Sequence, residues 1–224
     1  MSLVLMILGM IVLVWYVAEK LRSYSVKAVL LKSGVSMMFL AVAVAARSAA
    51  PLAAFVILGL AFGLLGDIWL DLKYVFPEQD RIFTYAGFTV FGIGHVLYIT
   101  GLLTQYGTGR FLPASFALAA VAAGLVLVLE KPMKLKYGEM KTVVLVYGFL
   151  LFSTMFVSGG LFLLHGGSAL RCFFIGSVLF ALSDLVLSGT YFGEGRERPV
   201  DIISNYVFYY GGQFLIAYSL VFAA

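Results

Sequence analysis

Charge is what this sequence has least of. Only 12% of its 224 residues are Asp, Glu, Lys or Arg, while 62% are hydrophobic, and the mean hydropathy is +1.05. A water-soluble domain of this size cannot hide so much apolar surface. One cysteine, Cys172, excludes an intramolecular disulfide and a cysteine-based metal cluster. The two histidines, His95 and His165, fall on different segments with no His-x-x-x-His pair, so no metal site is expected. No P-loop, dinucleotide fingerprint or Gly-x-Ser-x-Gly elbow is present, and no cofactor is expected. The missing serine elbow argues against ordinary ester cleavage and favours acid-catalysed chemistry without a covalent intermediate.

What is there is a set of long apolar runs. They lie near residues 2–19, 27–46, 51–72, 83–103, 111–129, 139–164, 167–188 and 200–223. A bilayer crossing takes about 20 apolar residues, so the expected fold is all-α: a polytopic integral membrane protein of eight transmembrane helices. Residues 1–224 form a single transmembrane domain, with no room for a soluble one. The first run is followed by Glu19, Lys20 and Arg22 and has no basic start. It reads as a retained helix, not a signal peptide.

Net charge is +4, which in a soluble protein would suggest nucleic acid. Here position decides. Lys20, Arg22, Lys27, Lys73, Arg81, Lys131, Lys134, Lys136, Lys141, Arg196 and Arg198 occupy the odd-numbered connections. The even-numbered ones hold only Arg47, Arg110 and Arg171. The positive-inside rule then puts the odd connections in the cytoplasm and both termini outside, in the inner membrane if the source is bacterial. Membrane lipids are the expected surroundings, nucleic acid is not expected as a partner, and the oligomeric state is left open.

The chain also resembles itself. Asp67 and Asp184 lie 117 positions apart, each with a glycine eight residues earlier (Gly59, Gly176) and a leucine three later (Leu70, Leu187). At a shift of 118, the stretch from Phe91 through Gly94-His95 falls on Tyr209 through Gly212-Gln213. The halves 1–108 and 109–224 therefore read as like-oriented four-helix repeats.

An ionisable side chain at mid-membrane costs about 2.5–3.5 kcal/mol even on the lenient insertion scale, so each needs a reason. Asp67 and Asp184 lie about six residues past the middle of their helices, roughly 9 Å to the cytoplasmic side of the midplane at 1.5 Å per residue. Lys32 and Asn205, each five residues into a helix from the cytoplasm, reach a similar depth. Two carboxylates in an apolar pocket suit general acid and base chemistry, with Lys32 holding one of them. The bland alternative is a buried ion cluster fixing the helices. Asp71, one turn below Asp67, reads as a solvated helix end. His95, with Gln213 at the repeat-equivalent place, is a proton shuttle, a substrate donor or an interhelical hydrogen-bond partner. Gln213 with Tyr209 and Tyr210 is suited to substrate oxygens.

At these residues the sequence resembles the YhhN family of membrane proteins, whose characterised animal members are lysoplasmalogenases. The matching motifs are Gly66-Asp67 with Leu70, Phe91 with Gly94-His95 and Tyr98, Gly176 with Leu179-Phe180 and Ser183-Asp184, and Tyr209 with Gln213. Lys32 falls where the family tends to carry lysine followed by proline, but Ser33 follows here. The resemblance implies hydrolysis of the vinyl ether of a single-chain lysophospholipid, a lysoplasmalogen, to a fatty aldehyde and glycerophosphocholine or glycerophosphoethanolamine. It implies Asp67 and Asp184 as acid and base in either order, with Lys32, His95, Asn205, Tyr209 and Gln213 binding substrate or water. The competing class is a proton-coupled transporter or a lipid-handling protein without catalysis, which paired intramembrane aspartates also describe.

Overall fold

Prolines mark where several of the apolar runs turn helical. Pro51 and Pro199 are the first residues of their helices and Pro113 the second, positions whose N–H would have no partner within the helix. Elsewhere Ser25 does the work, its Oγ accepting the Ala28 N–H at 3.2 Å as an N-cap. The computed structural model describes residues 1–193 and 198–223; Arg196, counted above with the seventh connection, lies outside the described residues. Among the described residues there are eight α-helices and no strand. They are α1 (Ser2–Lys20), α2 (Val26–Ala45), α3 (Pro51–Val75), α4 (Asp80–Tyr106), α5 (Leu112–Val128), α6 (Lys141–His165), α7 (Ser168–Phe192) and α8 (Pro199–Ser219). α6 and α7 are joined by only Gly166 and Gly167, at φ +66° and +86°, a left-handed reversal that side chains with a Cβ resist.

Among the described residues six helices, α1 to α4, α6 and α7, are long and apolar enough to cross a membrane. α5 is shorter, at 17 residues. α8 carries Asn205, Tyr209, Tyr210 and Gln213, all buried, and its polar groups face protein. The outer surface is the reverse: Val14, Trp15 and Leu163 are each at least 70% exposed. Polar groups kept inside under an apolar exterior are the arrangement of a helical multi-pass membrane protein.

Six helices close a ring in the order α2, α3, α4, α6, α7, α8 and back to α2. α1 packs outside the ring on α2 and α8, and α5 packs outside it on α6. Two crossings in the ring are set by paired glycines. A Cβ on Gly94 of α4 would stand 3.1 Å from the carbonyl oxygen of Gly59 on α3, and one on Gly212 of α8 would stand 2.7 Å from that of Gly176 on α7. The missing side chains let the backbones meet. This holds α3 against α4, and α7 against α8, so that Asp67 and Asp184 turn inward. The connection between α5 and α6 folds under the ring, where the Lys136 N–H donates to the Phe192 carbonyl at 2.8 Å and the Tyr137 hydroxyl meets Ser188 Oγ at 3.0 Å.

Candidate functional site

Asp67 on α3 is 2% exposed and its carboxylate is surrounded by donors from two other helices. Lys32 Nζ on α2 lies 3.3 Å from Oδ1. Ser36 Oγ, one turn along α2, donates to Oδ2 at 2.5 Å, and Tyr209 on α8 donates to the same oxygen at 2.8 Å. Tyr209 is itself steadied by Gln213, whose Nε2 donates to the Tyr209 hydroxyl at 3.1 Å, while Tyr98 donates to Gln213 Oε1 at 3.3 Å. One cation and two hydroxyls thus compensate a charge that would otherwise be prohibitive in an apolar interior. α2 runs unbroken through Lys32-Ser33, with Ser33 Oγ bonded to the Val29 carbonyl at 2.8 Å, so the lysine is delivered by a regular helix.

Asp184 on α7 is set differently. Tyr147 on α6 donates to its Oδ2, and Ser183 Oγ reaches Oδ1 at 3.4 Å. Among the described residues no lysine or arginine stands within ion-pair distance of it. Asp184, Asp67, Lys32, Asn205, Tyr147 and Tyr209 line one cavity of about 30 Å³. That is room for the centres of one or two water-sized molecules. Its remaining walls are mostly apolar and aromatic, among them Leu70, Phe88, Phe91 and Tyr206.

The four residues that helix rise places at one depth, Lys32, Asp67, Asp184 and Asn205, therefore meet in space. Asn205 also turns its Nδ2 to the Ser183 carbonyl at 2.7 Å, tying α8 to the residue before Asp184. His95 and Gln213 do not line the cavity. Each lies one turn beyond a residue that does, Phe91 and Tyr209 respectively. His95 is buried, its Nδ1 pairs with Thr154 Oγ1 at 3.1 Å, and its Nε2 has no hydrogen-bond partner among the described residues. In this arrangement its neighbours are Phe180, Tyr147 and Tyr98 rather than either carboxylate.

Asp71 corrects the sequence expectation of a solvated helix end: it is 2% exposed. Lys20 Nζ lies 3.1 Å and Lys32 Nζ 3.3 Å from its Oδ1, and Tyr16 donates to its Oδ2 at 3.0 Å. Lys20 in turn lies over the Tyr74 ring at 3.9 Å. The end of α1 folds across the helix end that position alone exposes to water. Asp67, Lys32, Asp71 and Lys20 consequently form an alternating row of two carboxylates and two ammoniums. Sequence reasoning also passes over Tyr147 and Ser36, since nothing distinguishes one tyrosine among 13 or one of two serines in an apolar helix.

Among the described residues no three His, Cys, Asp or Glu side chains gather closely enough to hold a metal ion. The arrangement offers a carboxylate held against an ammonium, a second carboxyl group held only by hydroxyls, and space for water between them. Such a pair of unlike environments is the pattern of an acid and a base sharing one site. In comparisons with known proteins, the model of the YhhN family matches residues 27–220. No curated protein and no solved structure matches.

Proposed function

The chain belongs to the YhhN family, and from that premise we propose that it is a membrane-embedded hydrolase cleaving the vinyl ether of lysoplasmalogens. The observation that carries this reading is the pair Asp67 and Asp184 on one cavity, one in ion-pair contact with Lys32 and the other within ion-pair distance of none of the described cations. A vinyl ether is cleaved through protonation of its β-carbon. Asp184, in its acid form, donates that proton, and the double bond's electron pair forms the new C–H bond. The ether oxygen shares the resulting positive charge as an oxocarbenium ion. The Asp67 carboxylate faces this cation and takes a proton from the water that adds to the α-carbon. The product is a hemiacetal. It collapses when Asp67 returns its proton to the departing glycerol oxygen and Asp184 takes the hemiacetal hydroxyl proton. One water is consumed, a fatty aldehyde and a glycerophospho head group are formed, and both aspartates are reset. Lys32, Ser36 and Tyr209 keep Asp67 oriented, Tyr147 orients Asp184, and Asn205 faces the same space. His95 and Gln213 support the cavity wall from the turn beyond.

The same reading takes the chain as eight crossings with both termini outside, the site toward the cytoplasmic side, and two like-oriented repeats. The ring order supports the repeats. Shifting each helix by four turns α2, α3 and α4 into α6, α7 and α8, and carries α1, outside α2, onto α5, outside α6. The glycine crossings obey the same shift, Gly59 and Gly94 passing to Gly176 and Gly212.

The test is aldehyde release from a purified lysoplasmalogen. Asp67→Asn and Asp184→Asn, folded and purified, are each expected to lose at least about 100-fold in rate, the lower range for removing a general acid or base. Full activity in both variants overturns the reading. Counterflow of labelled lipid in proteoliposomes without product would assign a carrier instead.

A further inference from the structure

A vinyl ether joins a long hydrocarbon chain to a polar head, and the small polar cavity has no room for that chain. Outside it, α4 and α6 part to form a groove of about 420 Å³, lined by Phe88, Gly92, Val96, Val146, Tyr147 and Leu150 among others. Val96 and Val146 are about half exposed, so the groove opens on the face that meets lipid. It runs from Phe88 to Val96 on α4 and from Thr142 to Leu150 on α6, about 12 Å at the helical rise. Two of its walls, Phe88 and Tyr147, are also walls of the polar cavity, and Tyr147 is the residue bonded to Asp184. A second apolar space, of about 50 Å³, shares the same two residues and reaches Asp184 from the α7 side.

Gly92 makes the groove. The other three glycines of the helical part of α4 that meet a neighbour do so tightly: a Cβ on Gly87 would stand 2.3 Å from Leu70, on Gly94 3.1 Å from the Gly59 carbonyl, and on Gly101 2.6 Å from Phe55. On Gly92 a Cβ would meet only Leu150 Cδ1, at an ordinary 3.4 Å. Helix packing does not require glycine there. What its missing side chain does is leave space open beside Tyr147.

We propose that the α4/α6 groove is the hydrocarbon-chain subsite: a single-chain lipid enters sideways from the bilayer, lays its tail along Gly92, Val96, Val146 and Leu150, and passes its first carbons between Phe88 and Tyr147 to the aspartates. This rests on the vinyl-ether reading for its substrate and adds the route. It also gives the aldehyde product, which keeps the chain, a direct exit to the membrane while the head group stays on the polar side. A bulky side chain in the groove displaces chain methylenes, and displacing two or so of them is enough for about a tenfold loss.

Two measurements test it. Gly92→Phe fills the groove from its floor and Val146→Trp from its exposed rim. Both are expected to lower the long-chain to short-chain ratio of kcat/KM, measured on 1-alkenyl lysophospholipids in mixed micelles, by about tenfold or more. An unchanged ratio in both overturns the proposal. In parallel, a lysophospholipid bearing a diazirine near the end of its tail is photolysed on the wild-type protein, which needs no turnover. Labelling concentrated in residues 88–96 and 142–150 supports the groove, and labelling elsewhere overturns it. Labelling in the groove without aldehyde release keeps the groove and sinks the hydrolase reading. Aldehyde release with labelling elsewhere does the opposite.

Discussion

Asp67 and Asp71 are buried on α3 and Asp184 is partly buried on α7, and each of these carboxylates is compensated in its own way. Asp71 has two ammoniums and the Tyr16 hydroxyl, Asp67 has one ammonium and two hydroxyls, and Asp184 has hydroxyls alone. Removing a charge therefore has different consequences at each. Asp71→Asn leaves Lys32 paired with Asp67 and strands the buried Lys20 without its carboxylate. It is expected to destabilise by about 3–5 kcal/mol, the range for breaking a buried ion pair by removing one partner. Adding Lys20→Met to that variant removes the stranded ammonium, and the double variant is expected to recover a large part of the loss. Unfolding of the detergent-purified protein by heat or by SDS measures both, and a double variant no better than the single refutes the charge-balance account. That Lys32, Asp67, Asp184 and Asn205 come together was legible in the sequence, because helical rise converts position into distance along a helix. Burial of Asp71 was not, because it depends on Lys20 and Tyr16 of α1, 51 and 55 residues away, and no local pattern announces that pairing.

At the level of elements, hydropathy finds the apolar part of each helix and misses its polar extensions. The fourth apolar run covers 83–103, whereas α4 spans Asp80–Tyr106, because backbone hydrogen bonding continues past the point where side chains turn polar. At the other end, the run 200–223 resolves into α8 and a short 3-10 turn at Leu220–Phe222. Glycine content signals close packing without saying which glycine meets which helix. The contacts do. Gly176→Ala and Gly212→Ala each drive a methyl group against backbone, 2.8 Å and 2.7 Å from a carbonyl oxygen, and are expected to cost about 1–3 kcal/mol, as overpacking does. Gly124→Ala in α5 meets nothing within 4 Å and is expected to be neutral or to gain up to about 1 kcal/mol from helix propensity. Thermal melting of the three variants side by side checks the contrast, and equal destabilisation in all three removes the crossing argument.

Over the whole molecule, the ring gives the two halves equivalent places, and that equivalence depends on α5 crossing the membrane as α1 does. α5 is the element on which the plan is most exposed to test. Its 17 residues span about 26 Å at the helical rise, slightly under the roughly 30 Å of a hydrocarbon core, so it crosses only if the flanking turns sink into the interface or the bilayer thins locally. Arg110 and Lys131 bracket it, both are exposed, and no other helix lies between them. In a Cys172→Ala background, Arg110→Cys is expected to react with a membrane-impermeant maleimide on intact cells, and Lys131→Cys only after the cells are opened. The reverse pattern would keep the crossing and invert the orientation, moving the aspartate layer to the outer side. Labelling of both from one side would mean that α5 does not cross. Four helices would then no longer return the chain to its starting side, and the like-oriented repeats, with the shared membrane depth of Asp67 and Asp184 that follows from them, would lose their basis.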